Sequence, residues 1–525
     1  MKVNAKYISS VAAILCVSAV VIVVSFLPIF THGGWQGHDY ISHINRMIST
    51  VKSLKEGGDG IYDFDYNVFP GYSWNIFYPP LNNVLLSIAY FASSSINFSM
   101  RFDGLFIILL SVFISFYSFS RFCNVKKTLL LSLLFSCSIY AVSNIVVRAA
   151  LPEALATCFI PLMYLGLLEK NRLKSILFLA ISMACMLVSN IPSFLCGVII
   201  VFVVCIIRPK VIFDALIAAV VSVFLSLFYL APLVYSIQSG DHVHMADTNW
   251  FYAMKECYVD LFNFISAKKI KTHNLLYGMR LGLGWPLSLL GLYCIFARKK
   301  FDWLVILFVL MVLFITTGWD YSFLKFPFDV FSKIQFSWRM ISFVVAALCF
   351  IIATSNVSNW LLILAVLGTL VVNFHTSVDK VKVNLSEENY YLPGRRDPYN
   401  DYVIKGTLPY EDYQKGLVCN FNGDKFTVEY KRQREKNSVI YTMQSSKFDY
   451  CILPVMAYNS LYIKNQTKRI ESNGFLVFNN EDKTGRAIVE SNNFFRGSVI
   501  LGRILSLISI SCVVFILFKK NVFSK

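Results

Sequence analysis

Gly37-His38-Asp39-Tyr40-Ile41-Ser42-His43-Ile44-Asn45-Arg46 stands a few residues beyond an uncharged apolar run at 8–30. That run is long enough to cross a bilayer as a helix, which takes about 20 apolar residues. Two His, one Asp and one Arg follow it within nine positions. Read as a helix, Asp39, His43 and Arg46 fall at i, i+4 and i+7 and share one face. A polar face at the mouth of a membrane span is either a solvated collar or a reaction centre. The same junction points to the fold class, because the apolar run is the first of many.

The 525 residues are 56% hydrophobic and 15% charged, against about 25% charged in soluble domains. This composition predicts an all-α polytopic membrane protein with lipids as its surroundings. The net charge of +17 comes in short clusters between apolar runs, as cytoplasmic connectors do, and not in the stripe expected of a nucleic-acid binder. Apolar segments recur at 8–30, 82–98, 104–120, 128–146, 153–168, 174–189, 193–207, 211–236, 285–297, 302–317, 339–356, 358–374 and 499–518. The first is read as a retained anchor, since it is too long for a signal peptide and lacks a small-residue cleavage site.

Basic clusters set the sides: Lys2 and Lys6; Arg121, Lys126 and Lys127; Lys170, Arg172 and Lys174; Arg208 and Lys210; Arg298, Lys299 and Lys300; Lys519, Lys520 and Lys525. Placing all of them inside requires 82–98, with its polar rim, to lie at the interface or re-enter. That leaves about 12 spans; the alternative is about 13 with one cluster on the wrong side. Every long or chemically unusual loop then falls on the outer face, which in a bacterium is the periplasmic side of the inner membrane, where no nucleotide sugar is available. Residues 1–374 form the membrane domain, with a first outer loop at 31–81, and 499–525 carry the last span and tail.

Residues 375–498 are soluble in character and predict a small periplasmic β-domain. Runs at 425–430 and 438–443 alternate about a charged turn, so a hairpin between them is expected. Further strand-like runs lie at 402–408, 450–457, 474–478 and 486–490, with turn signals at Asn422-Gly423 and Asn473-Gly474. Most of the 13 Cys sit in apolar runs as small hydrophobes. Cys419 and Cys451 do not, and outside the cell a disulfide between them is allowed. The chain has no P-loop, dinucleotide fingerprint, Cys-x-x-Cys pair or repeat.

Five stretches could carry chemistry. Asp39 could take a proton from a hydroxyl, or it could merely favour a helix start. In Arg148-Ala149-Ala150-Leu151-Pro152-Glu153, Arg148 could hold an anion, while Pro152 and Glu153 also suit a first helical turn. In Lys333-Ile334-Gln335-Phe336-Ser337-Trp338-Arg339, preceded by Lys325, Arg339 could bind phosphate bidentately, or the motif could be an interfacial anchor. Asp241, His242, His244 and Asp247 have a spacing that could hold a divalent ion, with no further ligand pair in support. The aromatic stretch from Phe69 to Leu81, including Tyr72, Trp74, Tyr78 and Pro79, could stack on sugar rings or belt the membrane interface.

Taken together, His38-Asp39, His43, Arg46, Gly71-Tyr72, Tyr78-Pro79, Arg148, Glu153, Gln335-Phe336, Trp338-Arg339 and Tyr391-Leu392-Pro393 resemble the scattered motifs of bacterial YfhO-like proteins, also labelled "6-pyruvoyl-tetrahydropterin synthase-related". These look like members of the GT-C glycosyltransferase superfamily. One departure is Ser337, where that family usually has Pro. Phage-type O-antigen serotype-converting glucosyltransferases are similar in size and layout.

The resemblance implies a membrane glycosyltransferase that moves a sugar, glucose being the expected one, from a polyprenyl-phosphate donor to a periplasmic glycan such as O-antigen. It implies an acidic residue in the first loop, here Asp39, with Glu153 in a second acidic role. His38, His43, Arg46, Tyr78, Arg148, Lys325, Trp338 and Arg339 are then expected around the substrates. No cofactor is implied, and a divalent cation is left open. The other readings are a surface-polysaccharide polymerase or ligase, and a lipid-linked glycan transporter or flippase.

Overall fold

The computed structural model describes residues 16–31, 37–64, 71–241, 243–244, 258–270, 277–298, 302–317, 334–381, 403–404, 416–435, 438–466 and 469–519. It is mostly helical, with a β-sheet region toward the C-terminus. The described part of every predicted apolar segment is mostly helical, but breaks fall inside several of them and the lengths differ from expectation. Among the described residues, five helices are long and apolar enough to cross a membrane: Ile96–Phe119, Leu151–Leu168, Arg172–Ser189, Asn359–Lys380 and Asn493–Lys519. The count rises to seven if each of two bent pairs is one span. One pair bends by 44° between Ser136 and Ile139, the other by 81° between Leu225 and Leu227. The segment read as continuous over 211–236 is thus broken at Ser226, with Pro232 inside its second half. The remaining apolar helices, Leu81–Ser93 among them, have 10–17 residues, against the roughly 20 that a span requires. Among the described residues, helix length by itself therefore supports fewer spans than the 12–13 expected. Leu81–Ser93 is closed by Ser94 in the left-handed conformation, and the next helix starts only two residues later, at Ile96.

The basic clusters turn out to be helix caps as well as charges. Arg208 donates to Leu167 O at 2.9 Å. Lys127 Nζ donates to Ser355 O at 2.5 Å, and Arg298 to Ile351 O at 2.9 Å. Leu167 O and Ile351 O belong to the last turns of Leu151–Leu168 and Ile341–Ala353, and Ser355 O lies just beyond the second, where cations are favoured. The opposite ends of those two helices carry Glu153 and Arg339. The cationic rim and the candidate site thus lie at opposite ends of the same elements.

The C-terminal region is two packed antiparallel sheets. Strands β1 (Val243–His244) and β2 (Val403–Ile404) pair by themselves. One sheet has the order β4-β3-β7-β10-β9 and the other β5-β6-β11-β8. The strands are β3 (Leu417–Phe421), β4 (Asp424–Val428), β5 (Tyr430–Glu435), β6 (Ser438–Met443), β7 (Tyr450–Met456), β8 (Leu461–Ile463), β9 (Ile470–Ser472), β10 (Phe475–Asn479) and β11 (Arg486–Ser491). The expected hairpin of 425–430 with 438–443 divides differently. β4 pairs with β3 across the Asn422-Gly423 turn, whereas β5 pairs with β6. The chain changes sheets at Glu429, where alternation continues but the hydrogen-bond partner switches. Beyond Val403–Ile404, the strand expected at 402–408 lies outside the described residues.

Cys419 and Cys451 face each other across β3 and β7 and form a disulfide. It cross-links strands 32 residues apart in the chain. Replacing both by Ser is expected to lower stability by about 2–4 kcal/mol, read as a lower thermal midpoint of the full-length protein in detergent. An unchanged midpoint would show that the bond contributes nothing.

The first loop belongs to this β-region. Tyr72, Trp74 and Phe77 are buried in the same core as Leu417, Leu453, Val455, Tyr458 and Phe478. The aromatic stretch is therefore used mainly for packing, and Tyr72 and Trp74 are neither a sugar platform nor an interfacial belt. Tyr62 shares a 2.7 Å hydrogen bond with Ser460, and Tyr229 donates to Phe77 O. Asp241, a candidate metal ligand, is buried and accepts from Asn459 N at 2.6 Å. Its fellow candidates His242 and Asp247 lie outside the described residues, as does the side chain of His244. Helix Asn493–Lys519 packs on Leu227–Gln238 so closely that a Cβ on Gly502 would come within 2.4 Å of Leu227 O.

Candidate functional site

The helix expected from the opening stretch runs from Tyr40 to Lys55, with Asp39 at its N-cap position. The carboxylate does not cap that helix. Instead Asp39 Oδ2 accepts from Arg148 at 3.0 Å. The backbone enforces this meeting: Asp39 N donates to Arg148 O at 2.8 Å, and a Cβ on Gly37 would lie 2.4 Å from Arg148 C. Only a glycine lets the chain lie this close. On the other side, the π-helical turn Ser143–Arg148 ends at Ala149, whose φ is 54°. That left-handed residue reverses the chain and starts the helix containing Pro152 and Glu153 in its first turn.

Glu153 is the hub. It is 2% exposed and both of its oxygens are taken. Oε2 accepts from Arg148 at 2.9 Å and from Arg339 at 3.0 Å. Oε1 accepts from the Tyr140 hydroxyl at 2.5 Å. Arg148 also donates to Asn144 Oδ1 at 3.1 Å, and Arg339 to Ile334 O and Gln335 Oε1. Two carboxylates and two guanidinium groups cancel. That cancellation, with the surrounding hydrogen bonds, is what makes their burial tolerable. The side chain of Asp39 keeps 36% exposure. Its Oδ1 accepts no hydrogen bond among the described residues.

Arg46 lies two turns beyond Asp39 in the Tyr40–Lys55 helix, donating to Asn75 Oδ1 at 2.9 Å and to the Pro79 carbonyl. Its guanidinium sits 4.3 Å over the Tyr78 ring, and His43 meets the edge of the same ring. Burial raises the Tyr78 hydroxyl to about 12, moderated by Arg46. Asp39, Arg339 and Arg148 also act on Tyr78, which places it between the first loop and the arginine network. Burial lowers His38, with Asp39 opposing and Lys380 and Arg148 assisting.

His43 is 4% exposed, and its Nε2 has no hydrogen-bond partner among the described residues. Burial lowers it to about 4, against the pull of Asp39 and helped by Arg46 and Arg148. On unfolding the imidazole regains its ordinary 6.5, so below that pH the unfolded chain binds a proton that the folded one excludes. The stabilising contribution is fully present above pH 6.5. It is lost as pH falls from about 6.5 towards about 4, up to about 3 kcal/mol. His43→Phe is expected to flatten the thermal midpoint between pH 4.5 and 6.5. An unaltered acid slope would assign the loss of stability to other groups.

Of the residues expected at the site, His38, Asp39, His43, Arg46, Tyr78, Arg148, Glu153 and Arg339 are brought together. Trp338 adjoins them but is 1% exposed and stacks on Phe336 at 4.1 Å, so the motif is not an interfacial anchor. Lys325 and Tyr391-Leu392-Pro393 lie outside the described residues. Tyr140, Asn144 and Asn75 were missed. Tyr140 and Asn144 precede Arg148 by two turns and one turn of helix, a spacing that only the pairing of Arg148 with Glu153 makes meaningful. Among the described residues, no group of three or more His, Cys, Asp or Glu could hold a metal ion.

Comparison with known proteins gives one informative likeness. The chain is 27% identical over 241 residues to a protein of Lactococcus lactis subsp. cremoris (strain MG1363) described as "Uncharacterized protein". The match covers 42% of this chain and 39% of that relative's length. No family model and no solved structure matches.

Proposed function

We propose that this chain is a multi-pass bacterial membrane glycosyltransferase acting at the outer face of the inner membrane. In this reading it moves a hexose, glucose in the simplest case, from a polyprenyl-phosphate donor to a hydroxyl of a periplasmic glycan such as O-antigen. The observation that carries the reading is Asp39: a half-exposed carboxylate held by Arg148 at the head of an otherwise closed, charge-balanced network. Asp39 accepts the proton of the acceptor hydroxyl. The freed oxygen attacks the anomeric carbon, the bond from that carbon to the phosphate oxygen breaks, and polyprenyl phosphate leaves with the electron pair. A single displacement inverts the linkage.

Glu153 fits a positioning role better than a second catalytic one, since Tyr140 and two arginines occupy it. The opposed ends of Leu151–Leu168 and Ile341–Ala353 support the sidedness. Basic caps mark one end and the site the other, as the positive-inside rule would have it. The disulfide supports an oxidising compartment for the β-region.

The transporter reading draws on one observation. Asp103, fully buried in Ile96–Phe119, accepts from Asn82 at 2.6 Å, and carboxylates inside apolar helices often mark ion paths. Asp39→Asn and Asp103→Asn separate the two readings. Loss of glycan modification in the first alone supports the transferase. Loss in the second alone supports transport.

A further inference from the structure

We propose that Lys380, Lys269 and Arg280, with His38 at their edge, form the seat for the phosphate of the lipid-linked donor beside Asp39. This rests on the transferase reading above. The arginines that would otherwise take the phosphate are already engaged. Arg148 holds Asp39 and Glu153, and Arg339 holds Glu153 and Gln335. The charge surplus lies next to them.

A short hairpin pairs Lys269 with Arg280, closed by Ile270 N to Met279 O and Gly278 N to Ile270 O, both 2.9 Å. It rests on the turn that carries Arg148. Arg280 N donates to Ser143 Oγ at 3.0 Å, and a Cβ on Gly278 would touch Val147 at 3.6 Å. Its other flank holds the end of helix Asn359–Val381. Arg280 Nε donates to Thr376 Oγ1 at 2.9 Å, and Lys269 Nζ pairs with Asp379 at 2.6 Å. Thr376 and Lys380 are one turn apart on that helix, so they share a face. His38, hydrogen-bonded to the backbone of Tyr277, lies within electrostatic reach of Lys380, Arg148 and Asp39.

Three cations thus lie within electrostatic reach of one carboxylate, Asp379, with which Lys269 forms an ion pair. Lys380 and Arg280 have no ion-pair partner among the described residues. A lysine in the last turn of a helix is ordinary, because it suits the dipole. That accounts for Lys380, but not for two further cations delivered by a separate hairpin. The donor, with sugar and polyprenyl on one phosphate, is a phosphodiester carrying one charge, as ordinary membrane phospholipids do. Breaking its bond to the sugar releases a phosphate monoester of about −1.5 to −2 near pH 7, so a surplus of about two positive charges matches the leaving group that forms there. His38, the chain neighbour of Asp39, borders the seat, so a donor phosphate held there would bring its anomeric carbon towards the base.

The test uses the full-length protein in detergent and measures binding of a polyprenyl monophosphate, with neutral polyprenol, phosphatidylglycerol and inorganic phosphate as comparisons. Lys269→Gln/Lys380→Gln is expected to weaken polyprenyl-phosphate binding at least about tenfold, with an unchanged thermal midpoint. Lys269→Arg/Lys380→Arg is expected to retain binding. If wild type binds the lipid phosphate and the Gln variant binds it equally, the seat is elsewhere and the transferase reading stands. If wild type prefers neither lipid phosphate nor polyprenol, both fall. Equal competition by phosphatidylglycerol would reduce the cluster to a general lipid contact, and equal competition by inorganic phosphate would remove the lipid from the assignment. Either result overturns the proposal.

Discussion

Under the proposed transferase function, Asp39→Asn is expected to lower glycan transfer by about 10²- to 10⁴-fold, the usual worth of a positioned general base, while leaving the protein folded and its yield unchanged. Asparagine keeps the shape, and its side-chain oxygen can still accept from Arg148, so the approach of residues 37–39 to 148–149 persists. That approach is held by the backbone, through Asp39 N to Arg148 O and the contact of Gly37 with the Arg148 carbonyl carbon. Arg148 also retains Glu153 and Asn144. What disappears is the ability to accept a proton. The measurement is incorporation of labelled sugar into glycan by membranes carrying equal amounts of each protein, together with the thermal midpoint of the purified chain. Transfer at the wild-type rate with the Asn variant would end the assignment of Asp39 as base. A midpoint that collapses with activity would make the residue structural.

Glu153→Ala should act in the opposite way, through the fold. Removing the carboxylate leaves Arg148 and Arg339 confronting each other in a place that is 2–10% exposed, and it strips Tyr140 of its acceptor. Breaking a buried ion pair from one side costs about 3–5 kcal/mol, a large part of a typical stability of about 5–15 kcal/mol. Low yield and a steep fall in thermal midpoint are expected. Adding Arg339→Met should recover part of that loss, since the second change removes one of the stranded charges; the double-mutant cycle measures the coupling. A Glu153→Ala protein that melts like wild type but has lost transfer would instead give Glu153 a direct chemical role.

These two outcomes separate what the motif residues share in sequence from what they do in space. Asp39, Arg148, Glu153 and Arg339 are all recognisable as charged residues beside apolar runs. Charge next to hydropathy is a local property, visible in any one stretch. Their division into one accessible carboxylate and one enclosed hub is not local. It depends on a meeting between residues 109 positions apart for Asp39 and Arg148, and 186 apart for Arg339 and Glu153. The cluster of Lys269, Arg280 and Lys380 is invisible in the sequence for the same reason. Each is an ordinary cation near a helix or loop end, and only the hairpin and the end of Asn359–Val381 bring them together.

The aromatic stretch shows the converse error. In sequence, the aromatic stretch that holds Tyr72, Trp74 and Phe77 reads as a platform for sugar rings or a membrane-interface belt, because aromatic faces suit both. They are core residues because the β-region, more than 300 residues later in the chain, closes over them.

The sequence by itself determined the helical class, the presence of a terminal β-region and the shared face of Asp39, His43 and Arg46. Composition and short-range periodicity act through the nearest few residues, and tertiary contacts do not overrule them here. Tertiary structure alone decided where the long apolar segments break, which strands pair across Glu429, and which carboxylate meets solvent. Those outcomes rest on the packing of distant elements and on the need to neutralise each buried charge with a partner. Asp39 keeps one face open because Arg148, already balanced by Glu153, asks only one oxygen of it.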